Sequence, residues 1–140
     1  MDNSNTRPAA ILFMRSLLGI IFFMQGIGKI FVMGVPGVYH TFFKVFETTF
    51  LPGWLVWSTA YFTSYAELIC GFLLIVGLFR KYAMYILCTD LLIVSFGHGI
   101  MEPVWDLQHV MARAALLISL LLLPEQWDRW HIDHLITPKE

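Results

Sequence analysis

The sequence is poor in charged residues and in cysteine. Only 14% of its 140 residues are charged and 58% are hydrophobic, whereas a soluble domain carries about a quarter charged residues. The net charge of −1 provides no basic field for nucleic acid. The two cysteines, Cys70 and Cys88, lie in apolar runs without CxxC spacing, which argues against a disulfide framework or a thiol-redox centre. This composition predicts an integral membrane protein whose main partner is the lipid bilayer.

Four apolar runs are long enough to cross a bilayer, which requires about 20 residues in a helix. They extend from about 9 to 33, 54 to 79, 82 to 101 and 107 to 123, within a single membrane domain of residues 1–140. The turn FRKYA contains Arg80 and Lys81, whereas the turn MEPVWD contains only acids. Because short basic loops stay cytoplasmic, the sequence predicts an all-α four-helix bundle with both termini in the cytoplasm.

Two further segments are predicted to lie on the membrane surface. In VYHTFFKVFETTF, helical spacing places five aromatic residues mostly on one face: Tyr39, Phe42, Phe43, Phe46 and Phe50. This pattern indicates an outer interfacial helix or a lid over the bundle. In EQWDRWHIDHL, Trp127 and Trp130 suit the inner interface and predict a short cytoplasmic C-terminal helix. Simple anchoring accounts equally for both segments.

Three ionisable residues fall at similar depths in the inner part of the predicted bundle. A charge in hydrocarbon costs at least a few kcal/mol, so such groups turn inward and find partners. With a rise of about 1.5 Å per residue, Arg15 lies roughly 9 Å from the cytoplasmic side, Asp90 roughly 12 Å and Glu67 roughly 18 Å. One arginine therefore lies near two acids, which predicts a structural ion-pair network of Arg15, Glu67 and Asp90.

The outer part of the predicted bundle has a different charge balance. Within roughly 9 Å of the outer helix ends, or one turn deeper, five polar residues occur: Gln25, Lys29, His98, His109 and Arg113. The only acids nearby are Glu102 and Asp106 in the outer turn. We therefore predict an outward-facing pocket with surplus positive charge, which needs an anion or water as a partner.

The spacing of these residues places them on common helix faces. The first span carries a stripe of small and charged residues at intervals of three and four: Arg15, Gly19, Phe22, Gly26 and Lys29. The second span carries a comparable stripe of Ser64, Glu67, Gly71 and Leu74. His109 and Arg113, four residues apart, share a face of the fourth span. Small residues in such stripes allow neighbouring helices to approach closely.

Three stretches of the sequence resemble the DoxX family: MRSLLGIIFFMQGIGKIF, AELICGFLLIVGLFRKYA and RWHIDHL. The positions that match its pattern are Arg15, Gly26, Lys29, Glu67, Gly71, Gly77 and Arg80. The resemblance implies a four-helix membrane bundle of the wider group that includes quinone-reactive vitamin K epoxide reductases. It also implies a bacterial-type cytoplasmic (inner) membrane and a link to thiosulfate:quinone oxidoreductases. The catalytic CxxC of the reductase relatives has no counterpart here.

Three functional hypotheses follow. In the first, the chain is a redox subunit that binds quinone or a small sulfur oxyanion through the outer polar residues, and Glu67 and Asp90 act catalytically by relaying protons. No cofactor is covalently bound in this hypothesis, and the electrons come from the substrate or from another membrane or periplasmic subunit. In the second, the chain is a non-catalytic subunit or assembly factor whose buried charges are structural. The sequence leaves open whether the chain is an enzyme.

The third hypothesis is a metal site in HGIMEPVWDLQH. This stretch contains four residues that bind divalent ions in other proteins: His98, Glu102, Asp106 and His109. The HxxxE and DxxH spacings would place either pair on a common helical face. Because proline-containing turns usually carry such residues as caps, the metal site is the least favoured hypothesis.

Overall fold

The computed structural model describes residues 5–101, 108–130 and 132 and is helical throughout its regular structure. We number the α-helices in chain order. They comprise α1 (Thr6–Ile27), the short α2 (Val35–Val38), α3 (Gly53–Val76), α4 (Arg80–Met101) and α5 (Gln108–Leu122). A π-helical turn, Gly28–Val32, prolongs α1, and a 3-10 turn, Glu125–Trp127, follows α5.

Three of these helices are long and apolar enough to cross a membrane. They are Thr6–Val32, which combines α1 with its π-helical turn, Gly53–Val76 and Arg80–Met101. The described helix α5 is apolar but has 15 residues, which is shorter than the other three. The prediction of an all-helical membrane protein is confirmed, and three of the predicted spans coincide with these helices.

The long helices α1, α3, α4 and α5 contact one another in a ring, in the order α1–α3–α4–α5 and back to α1. The closest contact joins α1 and α3 through glycines. A Cβ at Gly26 would overlap the backbone nitrogen of Leu68, and one at Gly71 would overlap that of Phe23. The predicted stripes therefore lie on the buried faces of these two helices, where small residues allow the backbones to touch.

An apolar layer fills the middle of the ring. Its side chains come from all four long helices and are shielded completely from solvent: Leu18, Phe22, Leu74, Leu87, Leu117 and Leu120. Large apolar side chains also cover the outside, for example Leu92 at 71% exposure and Leu122 at 79%. An outer surface this apolar suits a lipid solvent. The apolar layer in the middle of the ring separates two groups of buried charges.

The segment between α1 and α3 lies across the ends of α3 and α4. After Gly34, whose positive φ of 70° suits glycine, the chain forms α2, a π-helical turn (Tyr39–Phe43) and a 3-10 turn (Lys44–Thr48). The ring of Tyr39 stacks on Trp57 of α3 at 3.7 Å between centroids. Phe46 approaches Gly97 of α4, where an added Cβ would lie 3.2 Å from its ring.

The chain after α5 differs from the predicted C-terminal helix. In its described part only Glu125–Trp127 is helical, as one 3-10 turn that follows Pro124. Asp128 then adopts an extended backbone with φ −87° and ψ 91°, and its side chain is shielded completely from solvent. The extended backbone at this residue turns the Asp128 carboxylate inward, toward two arginines.

Candidate functional site

The first group of buried charges lies at the end of the bundle where α3 ends and α4 begins. We call Arg15, Arg80 and Asp128 the Asp128 cluster. The Asp128 Oδ2 atom lies 2.8 Å from Arg80 Nη1 and 3.6 Å from Arg15 Nε, and all three residues are buried. One acid after α5 therefore joins α1 to α4, a pairing that burial away from water strengthens.

Backbone carbonyls add two hydrogen bonds to this cluster. Arg15 Nη2 donates a hydrogen bond of 2.7 Å to the carbonyl oxygen of Trp130, and Arg80 Nη2 donates one of 3.5 Å to that of Leu120. Nearby, the Arg7 guanidinium lies 4.6 Å from the centre of the Trp127 ring, a cation–π distance. These contacts fasten the segment after α5 across the end of the bundle.

The second group, the central cluster, comprises Gln25, Lys29, Glu67, Asp90 and Arg113. Lys29 Nζ lies 2.7 Å from Glu67 Oε2, and the Glu67 side chain is only 3% exposed against 21% for Lys29. Lys29 belongs to the π-helical turn after α1, and such turns are frequent at functional sites. The long lysine stem reaches along the bundle to the deeper acid.

Arg113 of α5 joins the central cluster from the opposite side. Its Nη1 donates a hydrogen bond of 2.7 Å to Gln25 Oε1, and its Nε donates one of 2.8 Å to the carbonyl oxygen of His109. Its Cζ lies 5.5 Å from the centre of the Phe22 ring. The guanidinium is therefore held by α1 and by its own helix while it also interacts electrostatically with Glu67 and Asp90.

Asp90 of α4 is the exceptional member of the central cluster. It is shielded completely from solvent, and neither carboxylate oxygen has a hydrogen-bond partner among the described residues. It interacts electrostatically with Glu67, Lys29 and Arg113 and with the buried thiol of Cys70. Because a buried polar group without a partner is costly, an unsatisfied carboxylate inside a membrane helix marks a functional candidate.

The DoxX family model matches residues 10–100, which include α3 and most of α1 and α4. The chain belongs to the DoxX family. No curated protein and no solved structure shows a significant match to it. The family match and the apolar helices together identify a membrane protein.

The ion pairs of this DoxX protein differ from the predicted network. The structure places Arg15 against Asp128 and Glu67 against Lys29, and Asp90 interacts electrostatically with Glu67. The predicted surplus of positive charge in the outer layer is also absent from the described central cluster, where Lys29 and Arg113 face Glu67 and Asp90. The physical reason is the reach of the lysine and arginine side chains, which span more than one helical turn.

The two histidines lie near each other at the same end of the DoxX bundle. The ring centroids of His98 on α4 and His109 on α5 are 5.4 Å apart with an interplanar angle of 69°. Glu102 and Asp106, the other two residues of the metal hypothesis, lie outside the described residues. Within the described ranges, no group of three or more His, Cys, Asp and Glu side chains is placed to hold a metal ion.

Sequence reasoning missed Asp128 and the burial of Arg80. The sequence predicts Arg80 in a cytoplasmic turn, whereas the structure buries it at 7% exposure. One signal was available in the sequence. Arg15 and Arg80 lie at the same end of the predicted bundle, and the turn FRKYA beside them contains no acid to pair with either arginine. An aspartate between Trp127 and Trp130, just after a proline-terminated helix, was the natural partner.

Proposed function

We propose that this DoxX protein is a quinone-interacting subunit of a membrane oxidoreductase, and that the central cluster contacts the quinone head group. In this proposal α5 crosses a bacterial-type cytoplasmic membrane with the other three long helices. Both termini face the cytoplasm, and the central cluster lies toward the outer side. The observation that carries the proposal is the fully buried carboxylate of Asp90, which has no hydrogen-bond partner among the described residues and interacts electrostatically with two cations and a second acid.

The charge balance of the central cluster favours a neutral ligand. The formal charges of Lys29 and Arg113 are offset by those of Glu67 and Asp90, so a small oxyanion would meet two acids as well as two cations. A quinone carries no charge but offers two carbonyl acceptors. It can gain hydrogen bonds from cationic donors without an added charge in a low-dielectric site, where an extra charge would be expensive.

The described side chains supply the donors that quinone carbonyls need. Lys29 and Arg113 carry N–H groups on opposite sides of the cluster, and the amide of Gln25 adds a neutral donor. His98 and His109 lie at the same end of the bundle, where either ring could contact the head group. Such donors stabilise the negative charge that develops on the carbonyl oxygens during reduction.

Asp90 and Glu67 would handle protons. Reduction of a quinone to a quinol consumes two electrons, which a partner subunit would supply, and two protons, one for each carbonyl oxygen. A carboxyl that is buried beside a second carboxyl can hold a proton and release it to a bound acceptor. Glu67 is tied to Lys29, so Asp90 is the better of the two carboxylates to take up a proton and pass it on to the quinone.

A non-catalytic role remains the second candidate, and the Asp128 cluster favours it. That cluster is a paired, buried network of the kind that fixes the arrangement of helices. If the central cluster served the same purpose, the protein would be a structural subunit or an assembly factor. A ligand-dependent property of the central cluster separates the two roles.

Thermal unfolding of the purified protein in detergent, with and without decylbenzoquinone, tests the proposal. A ligand that binds only the folded state raises the free energy of unfolding by about 2.7 kcal/mol at one hundred times its Kd. We expect the quinone to raise Tm, and we expect Lys29→Gln and Arg113→Ala to lose this increase. Thiosulfate, tested in parallel, should give a smaller increase because of the acids.

Lys81→Gln is the matched control. Lys81 Nζ also pairs with a glutamate, lying 2.9 Å from Glu125 Oε1, but both side chains are more than half exposed. This variant should keep the quinone-dependent increase in Tm. Two results would refute the proposal and favour the structural role. One is a wild-type Tm that does not change when decylbenzoquinone is added. The other is a Lys29→Gln variant whose Tm rises as much as that of Lys81→Gln.

A further inference from the structure

The helix α1 has two long neighbours, α3 and α5, and the two boundaries are built differently. Against α3, glycines bring the backbones together at three levels: Gly19 and Gly26 of α1 and Gly71 of α3. A Cβ at Gly19 would lie 2.8 Å from Ile75 Cγ1 and 2.9 Å from the Gly71 carbonyl oxygen. No ligand can pass between two backbones in contact, so this boundary is closed.

An apolar groove of about 450 Å³ lies along the α1–α3 boundary. Its lining is Phe23, Ile27, Phe31, Leu68, Ile69 and Phe72. Ile69 and Phe72 are half exposed and Phe31 is more so, which places the groove on the lipid-facing surface. The glycine contact separates it from the buried carboxylate of Glu67, so the groove does not lead to the central cluster.

The α1–α5 boundary at the level of the central cluster is held by side chains instead. Gln25 is exposed, yet its Oε1 accepts the hydrogen bond of the buried Arg113. Three residues beyond Gln25, at the start of the π-helical turn that prolongs α1, a Cβ at Gly28 would meet no atom within 4 Å. On α5, His109 and Ala112 are also exposed. In the described part of the chain, this boundary is held by the Gln25–Arg113 hydrogen bond and by the Arg113–Phe22 contact below it.

An exposed glutamine is unusual in a membrane helix, because a polar side chain facing lipid is costly unless it is hydrogen-bonded. Gln25 satisfies its carbonyl oxygen only through Arg113 in the described contacts. If the Gln25 side chain rotates away, the guanidinium of Arg113 becomes open to the side of the bundle. A ligand with a carbonyl acceptor can replace the amide oxygen of Gln25 at little cost.

We propose that the α1–α5 boundary is a lateral door and that Gln25 is its gating residue. A lipid-soluble quinone enters from the bilayer between Gly28 and Ala112, and its carbonyl replaces the Gln25 oxygen on Arg113. This inference rests on the proposed function, since it assigns the path by which that ligand reaches the central cluster. Its consequence is kinetic: obstruction of the door slows binding and release together.

The experiment measures association and dissociation rates of decylbenzoquinone with the full-length protein by stopped-flow quenching of tryptophan fluorescence. Gly28→Phe fills the open space of the door, and we expect both rates to fall at least roughly tenfold, with Kd changed much less. Gln25→Leu removes the hydrogen bond that closes the door, and we expect both rates to rise roughly tenfold.

Gly99→Phe is the matched control, because a Cβ at Gly99 on α4 also meets nothing within 4 Å. Its rates should equal those of the wild type. If Gly28→Phe fails to fold, Ala112→Phe obstructs the same door from α5 and should slow both rates. The door would be overturned if Gly28→Phe and Ala112→Phe bind and release quinone at the wild-type rates. It would also be overturned if Gly99→Phe slows both rates as much as the door variants do. Either result would leave the proposed function intact. A wild type that binds no quinone would refute both.

Discussion

The two buried carboxylates Asp128 and Asp90 are equally hidden from solvent but have opposite surroundings. Asp128 Oδ2 faces two arginines, whereas both oxygens of Asp90 lack a hydrogen-bond partner within the described chain. Paired charges hold helices together, and removal of one partner is strongly destabilising. A buried acid without a hydrogen-bond partner lowers stability, and inside a membrane helix such an acid indicates a role in ligand binding or proton transfer. The role of a buried charge is therefore indicated by its partners more than by its burial.

The largest effect is expected for Asp128→Ala. This substitution leaves Arg15 and Arg80 without their shared carboxylate, and loss of one member of a buried pair costs about 3–5 kcal/mol. Thermal unfolding in a fixed detergent measures the loss as a fall in Tm. Glu125→Ala, which removes an exposed pair with Lys81, should change stability by less than about 1 kcal/mol. Equal Tm values for the two variants would contradict the structural role of the Asp128 cluster.

A smaller loss is expected for Gly26→Ala, which tests whether the central cluster depends on the α1–α3 contact. The added Cβ would overlap the Leu68 backbone, and overpacking of this kind costs about 1–3 kcal/mol. Because the helices must separate, we also expect the quinone-dependent increase in Tm to weaken. Gly28→Ala places its Cβ in open space and should leave Tm unchanged or slightly raised. An unfolding curve of Gly26→Ala that matches Gly28→Ala would show that the backbones are not in contact.

The substitution Asp90→Asn should affect stability little, in contrast to Asp128→Asn. Removal of an unsatisfied buried charge takes away no ion pair, so we expect a change within about 1 kcal/mol of the wild type or a slight gain. Quinone-dependent electron transfer with a partner dehydrogenase should nevertheless be lost, because the proton donor is missing. A fall in Tm as large as that of Asp128→Asn would show that Asp90 is part of a structural network.

The smallest effect concerns the segment between α1 and α3, outside both clusters. Tyr39 donates a hydrogen bond to Glu47, and this bond, with burial and the negative charge of Glu47, raises the pKa of Tyr39 from 10.0 to about 12. The protonated phenol is therefore favoured in the folded state. Its stabilising contribution is complete below about pH 10 and is lost as the pH rises through about 12. Tm measured between pH 9 and 12 should decline more steeply in the wild type than in Tyr39→Phe, and parallel declines would argue against the bond.

Helical spacing predicted which faces of the helices are buried, but it did not predict which charges meet. The stripe from Arg15 to Gly26 is buried as expected, because a period of 3.6 residues fixes the direction of each side chain. Pairing depends also on side-chain length. The helical rise per residue places the Cα of Lys29 closer to the outer end of the bundle than Glu67. The lysine side chain is long enough to bring its Nζ within 2.7 Å of Glu67 Oε2 all the same.

The contacts that come from irregular backbone were beyond prediction for a different reason. Asp128 enters the bundle through an extended residue after a single 3-10 turn, and no periodic pattern anticipates such a path. Lys29 likewise lies on a π-helical turn, which changes its direction relative to a regular helix. The exposure of Gln25 was likewise beyond prediction, because its helical spacing does not reveal that it accepts a hydrogen bond from the buried Arg113 of α5.

The position of Asp128 along the chain has a consequence for biosynthesis. Arg15 lies in α1 and Arg80 begins α4, whereas the acid that joins them follows α5 in the chain. During insertion both arginines must be accommodated by water, by lipid head groups or by the insertion machinery until α5 has been made. Closure of that end of the bundle is therefore a late event, and a ribosome stalled before Asp128 would hold a chain whose helices are inserted but still unfastened.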